Sequence, residues 1–379
     1  MKQKKLLFFV NDASFLISHR LPVLKAARSE GFEVHVLAAS TPDEEQIKKC
    51  DFRFHEVPLV RGSTNPLYEI RCLLMVCFLF QKIKPDLAHL VTIKAVLYGG
   101  IAARLTKTPG LVIAVAGLGH LFTSRNMMFK FLKKFVVALI RFICRHPNLT
   151  IIFQNESDRA VFVGNRMADP RTMTLIKGSG VDLLEYRERP ETEGPLRVVM
   201  ASRLLKEKGV FEFVEAARAI RQTHPTVVFQ LVGAPDPHNP SSVSREDLLT
   251  WHEEGCVEWL GYRSDVSKIL GESHLFVFPS YYGEGLPKCL IEASASGRAI
   301  VTTTTPGCSD AVIDGLSGYL VPPRDQKALN SAILDLIEDG EKRREFGACA
   351  RRHAEENFSI SEVVAKHMEI YQNKVMPYD

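Results

Sequence analysis

Short apolar segments alternate with longer amphipathic segments along most of the chain. In the first half the apolar runs are rich in Val, Ile, Leu and Phe, and they lie at Leu6–Val10, Val34–Ala38, Leu87–Leu90, Leu111–Val115 and Thr150–Phe153. Such runs are typical of strands that are buried on both faces of a parallel sheet. Because amphipathic stretches separate them, the pattern predicts alternating strands and helices, with helices on both faces of the sheet.

The pattern stops near residue 186 and then starts again. Residues 187–195 are polar and contain two prolines and a glycine, which is the composition of a linker. A second series of apolar runs follows at Leu196–Ala201, Val227–Val232, Val257–Leu260, Leu275–Phe278, Ala299–Thr302 and Gly318–Val321. We therefore predict two doubly wound α/β domains, residues 1–186 and 187–360, with a ligand cleft where the C-terminal ends of their sheets face each other.

Length and composition agree with an ordinary two-domain globular protein. The chain has 379 residues, 46% hydrophobic and 24% charged, and domains usually contain ~100–200 residues. None of the eight cysteines forms a C-x-x-C pair, so we expect reduced thiols in a cytoplasmic protein. The apolar run near the N-terminus ends at Asn11 and is too short for a signal peptide. No segment reaches the ~18 consecutive apolar residues of a membrane-spanning helix.

A net charge of +4 conceals a basic first half and an acidic second half. Residues 87–155 contain nine basic residues and no acidic one. Inside that stretch, residues 125–145 form a basic amphipathic pattern in which Lys130, Lys134, Arg141 and Arg145 recur at helical spacings and Lys133 flanks them. The pattern is typical of a helix that lies on an anionic membrane surface. The alternatives are a core helix with a charged edge or a nucleic-acid surface, although no nucleic-acid recognition motif accompanies it.

The most informative segment is residues 275–298, LFVFPSYYGEGLPKCLIEASASGR. An apolar strand ends before Pro279, a loop carries Glu284, and Pro287 suits the first turn of a helix that contains Glu292. A helix N-terminus offers free backbone N–H groups and the positive end of its dipole to an anion. We expect the loop carboxylate of Glu284 to face the cleft and Glu292 to lie about two turns into the helix.

The stretch E-G-L-P-x-x-x-x-E-A within this segment resembles the E-x7-E motif of retaining glycosyltransferase family 4, which has the GT-B fold of two Rossmann-like domains. In that family the first glutamate contacts hydroxyls of the donor sugar and the second contacts the nucleotide ribose. The resemblance implies these roles for Glu284, as a catalytic-site residue, and for Glu292. It also places Gly285 and Leu286 in the donor site.

A second match involves residues 198–209, VVMASRLLKEKG. They resemble the family segment whose arginine and lysine hold the donor diphosphate, which implies that role for Arg203 and Lys208. Fixed cations stabilise the charge that develops on a leaving diphosphate. Gly261–Asp265 resembles the nucleobase loop, with Tyr262 or Arg263 near the base.

Weaker matches lie in the N-terminal half. The stretch F-x-x-x-H-R and the loop before it resemble the family's first helix, which implies cleft or acceptor roles for Asp12, Ser14 and His19. The loop lacks the paired glycines of many members. The glycine loop after the strand Leu111–Val115 implies that His120 lies close to the donor sugar, with Gly119 in the cleft. Gly178–Asp182 resembles the turn before the interdomain linker.

The resemblance implies retaining transfer of a hexose or N-acetylhexosamine, first of all N-acetylgalactosamine, from a UDP-sugar co-substrate without a metal or other cofactor. The chain is also similar to bacterial enzymes that extend undecaprenyl-diphosphate sugars in O-antigen or capsule biosynthesis. The expected acceptor is therefore a lipid-linked sugar, and the expected location is the cytoplasm, at the inner face of the cell membrane. In GT-B proteins the C-terminal helix, here residues 361–379, crosses back to the N-terminal domain.

Three other functions are considered. A dinucleotide oxidoreductase requires G-x-G-x-x-G after its first strand, which is absent here. A nucleotide-sugar epimerase of the same fold is the nearest enzyme alternative. A non-catalytic membrane or nucleic-acid binding protein is the other alternative, and the presence of Glu284, Glu292, Arg203 and Lys208 argues against it.

Overall fold

The computed structural model describes residues 3–41, 44–60, 65–117, 127–236 and 239–375, without the side chains of residues 127–132. The chain divides into two compact units. The first is Met1–Ser179 with Ser361–Asp379, and the second is Gly180–Ile360. Each unit is built on a parallel sheet with helices on both faces, which is the fold class that the sequence predicts.

The strands described in the first unit are β1 (Lys5–Asp12), β2 (Glu33–Ala39), β3 (Arg53–Glu56), β4 (Leu87–Val91), β5 (Gly110–Val115), β6 (Leu149–Phe153) and β7 (Met173–Leu175). They pair in parallel in the order β3-β2-β1-β4-β5-β6-β7. The predicted strands correspond to β1, β2, β4, β5 and β6, whereas β3 and β7 are short edge strands without fully buried residues. The order reverses between β1 and β4, and α/β sheets bind ligands beyond the strand ends at such a point.

The helices described before residue 179 are α1 (Ala13–Ser29), α2 (Glu44–Lys49), α3 (Pro66–Ile83), α4 (Ile93–Thr106), α5 (Met127–Ile143) and α6 (Glu156–Gly164). Side-chain caps fix the starts of α1, α3 and α6, because Asp12, Asn65 and Asn155 each accept a hydrogen bond from a backbone amide of the first turn. Apolar side chains of α3, α4 and α5 pack on one face of the sheet, and those of α1 pack on the other.

The strands described in the second unit are β8 (Arg197–Ala201), β9 (Val228–Val232), β10 (Glu258–Gly261), β11 (Leu275–Phe278), β12 (Ala299–Thr303) and β13 (Gly318–Val321). Their order is β10-β9-β8-β11-β12-β13, again in parallel, and they correspond to the six apolar runs of the second half. The helices are α7 (Val210–Arg221), α8 (Arg245–Glu253), α9 (Val266–Gly271), α10 (Lys288–Ala295), α11 (Gln326–Glu338) and α12 (Gly340–Asn357).

The second unit begins at Gly180, whereas the linker composition places the boundary after Tyr186. Val181 and Tyr186 are buried in the core of the second unit. The polar residues that follow are also anchored, since Arg343 donates to both carboxylate oxygens of Glu191 at 2.8 and 2.9 Å. A segment with the composition of a linker is therefore part of the folded second unit, because a few buried anchors hold it.

The last described helix, α13 (Ile360–Val375), packs on the same face of the first sheet as α1. The hydroxyl of Tyr371 lies 2.5 Å from Nδ1 of His89 on β4, and the ring of His367 stacks on His89 with centroids 5.7 Å apart. Arg20 of α1 is buried in the same cluster, and burial lowers its pKa to about 10. A buried polar cluster thus joins α1, β4 and α13.

We expect acid to destabilise the first unit through this cluster. Burial lowers the pKa of His367 from 6.5 to about 3 and lowers the pKa of His89 well below its usual value. The unfolded chain therefore binds these protons near pH 6.5 while the folded chain does not. The contribution of the two neutral imidazoles to the free energy of unfolding is complete above pH 6.5. It is lost as the pH falls toward about 3, at up to ~1.4 kcal/mol per pH unit for each histidine.

Urea unfolding followed by circular dichroism between about pH 7.5 and 4.5 measures this slope. His367→Gln should flatten it, because the substituted side chain does not titrate. His252→Gln, at an exposed histidine of α8 in the second unit, is the matched control. A slope that His367→Gln leaves unchanged would assign the acid sensitivity to other groups.

Candidate functional site

The loop between β11 and α10 is held by hydrogen bonds at the C-terminal end of β11. Ser280 anchors its start, since its hydroxyl donates to the Glu207 carbonyl at 3.1 Å and its carbonyl accepts from the Thr305 hydroxyl at 3.2 Å. Farther along, the Glu284 amide donates to the Pro306 carbonyl at 3.1 Å. Two neighbouring loops therefore fix the position of Glu284.

Lys208 and Glu284 form an ion pair. Their side chains are 11% and 17% exposed, and Nζ of Lys208 also lies 5.8 Å from the centroid of the Phe278 ring. The Ser280 hydroxyl is 3.5 Å from the Glu284 carboxylate. Because water reaches this pair poorly, each charge depends on close opposite charge and hydrogen bonds. The structure thus brings two of the predicted donor-site residues into one charged cluster.

Two glycines allow the loops around this cluster to approach each other. Gly209 has a φ of +81°, and a Cβ there would lie 2.3 Å from the Pro279 carbonyl oxygen. Gly307 has a φ of +84°, and a Cβ there would lie 2.4 Å from the carbonyl oxygen of Gly285. Any side chain at these positions would separate the loops. The predicted residues Gly285 and Leu286 are buried at this approach.

Glu292 lies inside α10 and is only 8% exposed. The Tyr186 hydroxyl donates to its Oε1 at 2.9 Å, and Nζ of Lys288 lies 3.2 Å from the same oxygen. Burial raises the pKa of Glu292, while Lys288 and Tyr186 act in the opposite direction. Since both donors contact Oε1, Oε2 has acceptor capacity for hydroxyl groups of a ligand.

The other predicted donor residues differ in their surroundings. Arg203 is exposed in the loop after β8, and Tyr262 is 79% exposed after β10. Arg263 donates to both carboxylate oxygens of Asp265 at 2.7 and 2.6 Å, and these bonds lower the pKa of Asp265 to about 2. A nucleobase contact by Arg263 would compete with this ion pair, whereas the Tyr262 ring is open to a ligand.

The predicted cleft residues of the first unit lie at the start of α1. Asp12 caps the helix and accepts from the Phe15 amide at 2.8 Å. The His19 ring stacks on Phe15 with centroids 4.5 Å apart, and the Ser14 hydroxyl lies 3.3 Å from that of Thr41. Asp12 therefore has a structural role that is independent of any ligand. The other predicted residues here, Gly119 and His120, lie outside the described residues.

Two features of these sites have no signal in the sequence. Thr92 follows β4 with a φ of +78°, a strained conformation for a β-branched residue, and its hydroxyl donates to Asn11 at 2.7 Å. It lies where the strand order reverses. Tyr186 contacts Glu292 from 106 positions away. Hydrophobic periodicity carries no signal for either feature, because one depends on a backbone torsion angle and the other on a distant contact.

The predicted basic helix is α5. Its apolar side packs into the core through Val136, Val137, Ile140 and Ile143. On the helix, Lys134 and Arg141 are exposed and Lys133 is half-buried, whereas the Lys130 side chain lies outside the described residues. Arg145 is also exposed but lies after the end of the helix at Ile143. The exposed surface also includes Phe135 and Phe142, which are 62% and 40% exposed. The basic helix therefore presents both charge and aromatic surface to its surroundings.

Helix α3 exposes an apolar stripe on the same side of the sheet. Leu67, Ile70, Leu74 and Phe78 are 79%, 54%, 64% and 60% exposed. Spacings of three and four residues align these side chains on one side of the helix. Among the described helices none is long and apolar enough to cross a membrane, and the described residues include no group of three or more His, Cys, Asp or Glu side chains that could hold a metal ion.

Two protein families match this chain, one within each of its two compact units. Residues 5–155 match the family described as glycosyl transferase 4-like, and residues 184–353 match glycosyl transferases group 1. The chain is 26% identical to the N,N'-diacetylbacillosaminyl-diphospho-undecaprenol alpha-1,3-N-acetylgalactosaminyltransferase of Campylobacter jejuni, over 97% of this chain and 98% of that protein. It is 25% identical to the UDP-Gal:alpha-D-GlcNAc-diphosphoundecaprenol alpha-1,3-galactosyltransferase of Escherichia coli, over 82% and 81%. The crystal structure of Anabaena HepE in complex with UDP superposes with a TM-score of 0.78 at 18% identity, covering 98% of this chain and all of that one.

We expect Lys208→Met to lower the unfolding free energy of the second unit by about 1–3 kcal/mol, because the Glu284 carboxylate loses its ammonium partner in a poorly hydrated position. The double variant with Glu284→Gln should recover most of this loss. Both tryptophans, Trp251 and Trp259, lie in the second unit, so urea unfolding followed by tryptophan fluorescence reports on it.

Arg218→Met is the matched control, because Arg218 forms a more exposed ion pair with Glu254 in the same unit. Loss of this ion pair should lower the free energy of unfolding by less than about 1 kcal/mol. If the two substitutions at Lys208 and Glu284 were additively destabilising, the pair would not be the interaction that holds this site.

Proposed function

Because the chain belongs to the glycosyltransferases of GT-B fold, with a glycosyl transferase 4-like domain followed by a group 1 domain, we propose that it transfers a sugar from a UDP-sugar to a lipid-linked sugar. The acceptor is an undecaprenyl-diphosphate-linked sugar in surface-polysaccharide biosynthesis. N-acetylgalactosamine is the first candidate for the transferred sugar, followed by N-acetylglucosamine and galactose. The proposal rests on the Lys208–Glu284 cluster, in a chain similar over most of its length to two transferases named for such acceptors.

The donor lies in the second unit, beyond the C-terminal ends of β8 and β11. The Lys208 ammonium and the Arg203 guanidinium bind its diphosphate, and Glu284 accepts hydrogen bonds from the sugar hydroxyls. The adjacency of Lys208 and Glu284 supports this arrangement, because in a UDP-sugar the diphosphate and the sugar are covalent neighbours. Glu292 accepts from the ribose, and the exposed Tyr262 ring contacts the base.

Transfer proceeds with retention at the anomeric carbon. The bond between that carbon and the diphosphate oxygen breaks, and the acceptor hydroxyl forms its new bond on the same face of the sugar. The acceptor proton passes to the leaving diphosphate, so the reaction needs no separate protein base. Arg203 and Lys208 stabilise the charge on the leaving group, which lets the reaction proceed without a metal ion. His120 lies near the donor sugar in this proposal.

The acceptor contacts the first unit around Asp12, Ser14, His19 and Gly119. A lipid-linked acceptor requires the enzyme to work at a membrane, and two helices of the first unit support this location. The exposed cations of α5 match anionic headgroups, and the apolar stripe of α3 can enter the interface. The protein is then a peripheral enzyme on the cytoplasmic face of the membrane.

A panel of UDP-, GDP- and ADP-sugars, with bacterial lipid-linked sugars in detergent as acceptor, tests the function. Transfer from one UDP-sugar into the lipid fraction is the expected result. Conversion of a donor into another nucleotide sugar without acceptor would instead identify an epimerase. If no donor reacts and UDP gives no protection against thermal unfolding, the proposal is wrong.

In this assay Arg203→Ala should lower kcat/KM by an amount equal to about 2–4 kcal/mol, the loss expected when a preorganised cation no longer faces developing charge. Its fold should be unaffected, because the side chain is exposed. Arg344→Ala is the matched control, at a guanidinium that is 61% exposed on α12. Equal activity of Arg203→Ala and wild type would remove Arg203 from the donor site.

The two membrane contributions can be separated with vesicles of phosphatidylglycerol and phosphatidylcholine. Changing Lys130, Lys133 and Lys134 together to Glu should abolish the preference for phosphatidylglycerol, since each cation near an anionic surface contributes roughly 1 kcal/mol. Leu74→Gln with Phe78→Gln should weaken binding to both lipids by removing apolar insertion.

Leu316→Gln, at a 58% exposed leucine of the second unit, is the control for general loss of surface apolar area. Cosedimentation of each variant with the vesicles measures the bound fraction. Unchanged binding of both multiple variants would exclude α3 and α5 as the membrane surface.

A further inference from the structure

Tyr186 is held in place from both sides within the second unit. The turn before it is closed by Asp182, whose carboxylate accepts from the Leu184 and Glu185 amides at 2.8 and 3.2 Å and whose carbonyl accepts from the Tyr186 amide at 2.9 Å. On the other side, Arg351 donates to the Tyr186 carbonyl at 2.7 Å. These contacts leave the backbone at Tyr186 little freedom.

The same contacts tie Tyr186 to the helix that carries Glu292. Arg351 also donates to the carbonyl of Ala295, the last residue of α10. The Tyr186 hydroxyl then reaches Oε1 of Glu292 at 2.9 Å, with the ring only 8% exposed. Burial and the neighbouring carboxylate raise the pKa of Tyr186, so the phenol remains a hydrogen-bond donor. The turn and α10 are therefore joined twice, through Arg351 at the Tyr186 backbone carbonyl and through the Tyr186 hydroxyl at Glu292.

We propose that Tyr186 is a positioning residue for the nucleotide: its hydroxyl fixes the Glu292 carboxylate so that Oε2 receives the ribose hydroxyls. This inference rests on the donor site proposed above. Burial removes a carboxylate from water, which is unfavourable unless hydrogen-bond donors of the protein replace the lost water contacts. Lys288 also contacts Oε1, at 3.2 Å, but it belongs to the same helix as Glu292 and its side chain is 33% exposed. The Tyr186 hydroxyl comes from a separate segment that Asp182 and Arg351 anchor, so it fixes the orientation of the Glu292 carboxylate.

The test measures how Tyr186→Phe changes binding of UDP and of 2′,3′-dideoxy-UDP by isothermal titration calorimetry. The variant keeps the ring and its packing and removes the hydroxyl. We expect UDP affinity to fall about three- to tenfold, the size of one hydrogen bond, and the affinity for the dideoxy analogue to change by less than about twofold. In a Glu292→Gln background, Tyr186→Phe should have little further effect, because the two residues act as one unit.

Tyr319→Phe is the matched control, since the Tyr319 hydroxyl donates to Asp335 at 2.7 Å elsewhere in the same unit. An equal loss for UDP and the dideoxy analogue, or additive effects with Glu292→Gln, would show that Tyr186 only supports the fold and would overturn the inference. Unaltered UDP affinity in Tyr186→Phe would overturn it as well. Failure of the wild-type protein to bind UDP would instead refute the proposed function.

Discussion

The candidate site in the second unit depends on bringing Lys208 and Glu284 into contact where little water reaches them. An isolated charge in such a place is costly, so the pair is stable only while both loops keep their positions. The loop of Glu284 is accordingly fixed at Ser280 by side chains and at Glu284 by backbone. The hydrogen bonds around the pair keep the two loops in place, and the glycines allow the loops to approach closely enough for the charges to meet.

The same requirement explains why backbone shape matters as much as charge here. Gly209 and Gly307 both have positive φ. Gly209 lies against the carbonyl of Pro279, just before the loop that carries Glu284, and Gly307 lies against the carbonyl of Gly285 within that loop. A parallel sheet delivers its loops to one edge, but it does not determine how closely they approach. The close approach depends on residues without a Cβ, which lets two oppositely charged side chains meet directly.

How much of this could be predicted from the sequence depends on the distance over which each feature is encoded. The strands predicted from the apolar runs and the helix containing Glu292 follow from local periodicity and from Pro287, and the structure confirms them, whereas the short edge strands β3 and β7 have no such signal. The contact between Tyr186 and Glu292 joins residues 106 positions apart and has no local signal. The start of the second unit at Gly180 lacks a local signal for a related reason. Composition describes the polar residues after Tyr186, whereas the buried anchors Val181 and Tyr186 decide to which unit the segment belongs.

The proposed membrane surface of the first unit illustrates why charge pattern alone is an incomplete guide to such a surface. The sequence of α5 shows its cations directly, but the exposure of the α3 stripe is visible only once the core-facing side of that helix is known. Attraction between α5 and anionic lipid is screened over about 10 Å at 0.1 M salt, whereas burial of Leu74 and Phe78 in an interface is not. Under the proposed function, in which the acceptor lies in a lipid layer, the enzyme would benefit from both terms. Electrostatic attraction would direct it to an anionic surface, and apolar insertion would keep it there when salt weakens that attraction.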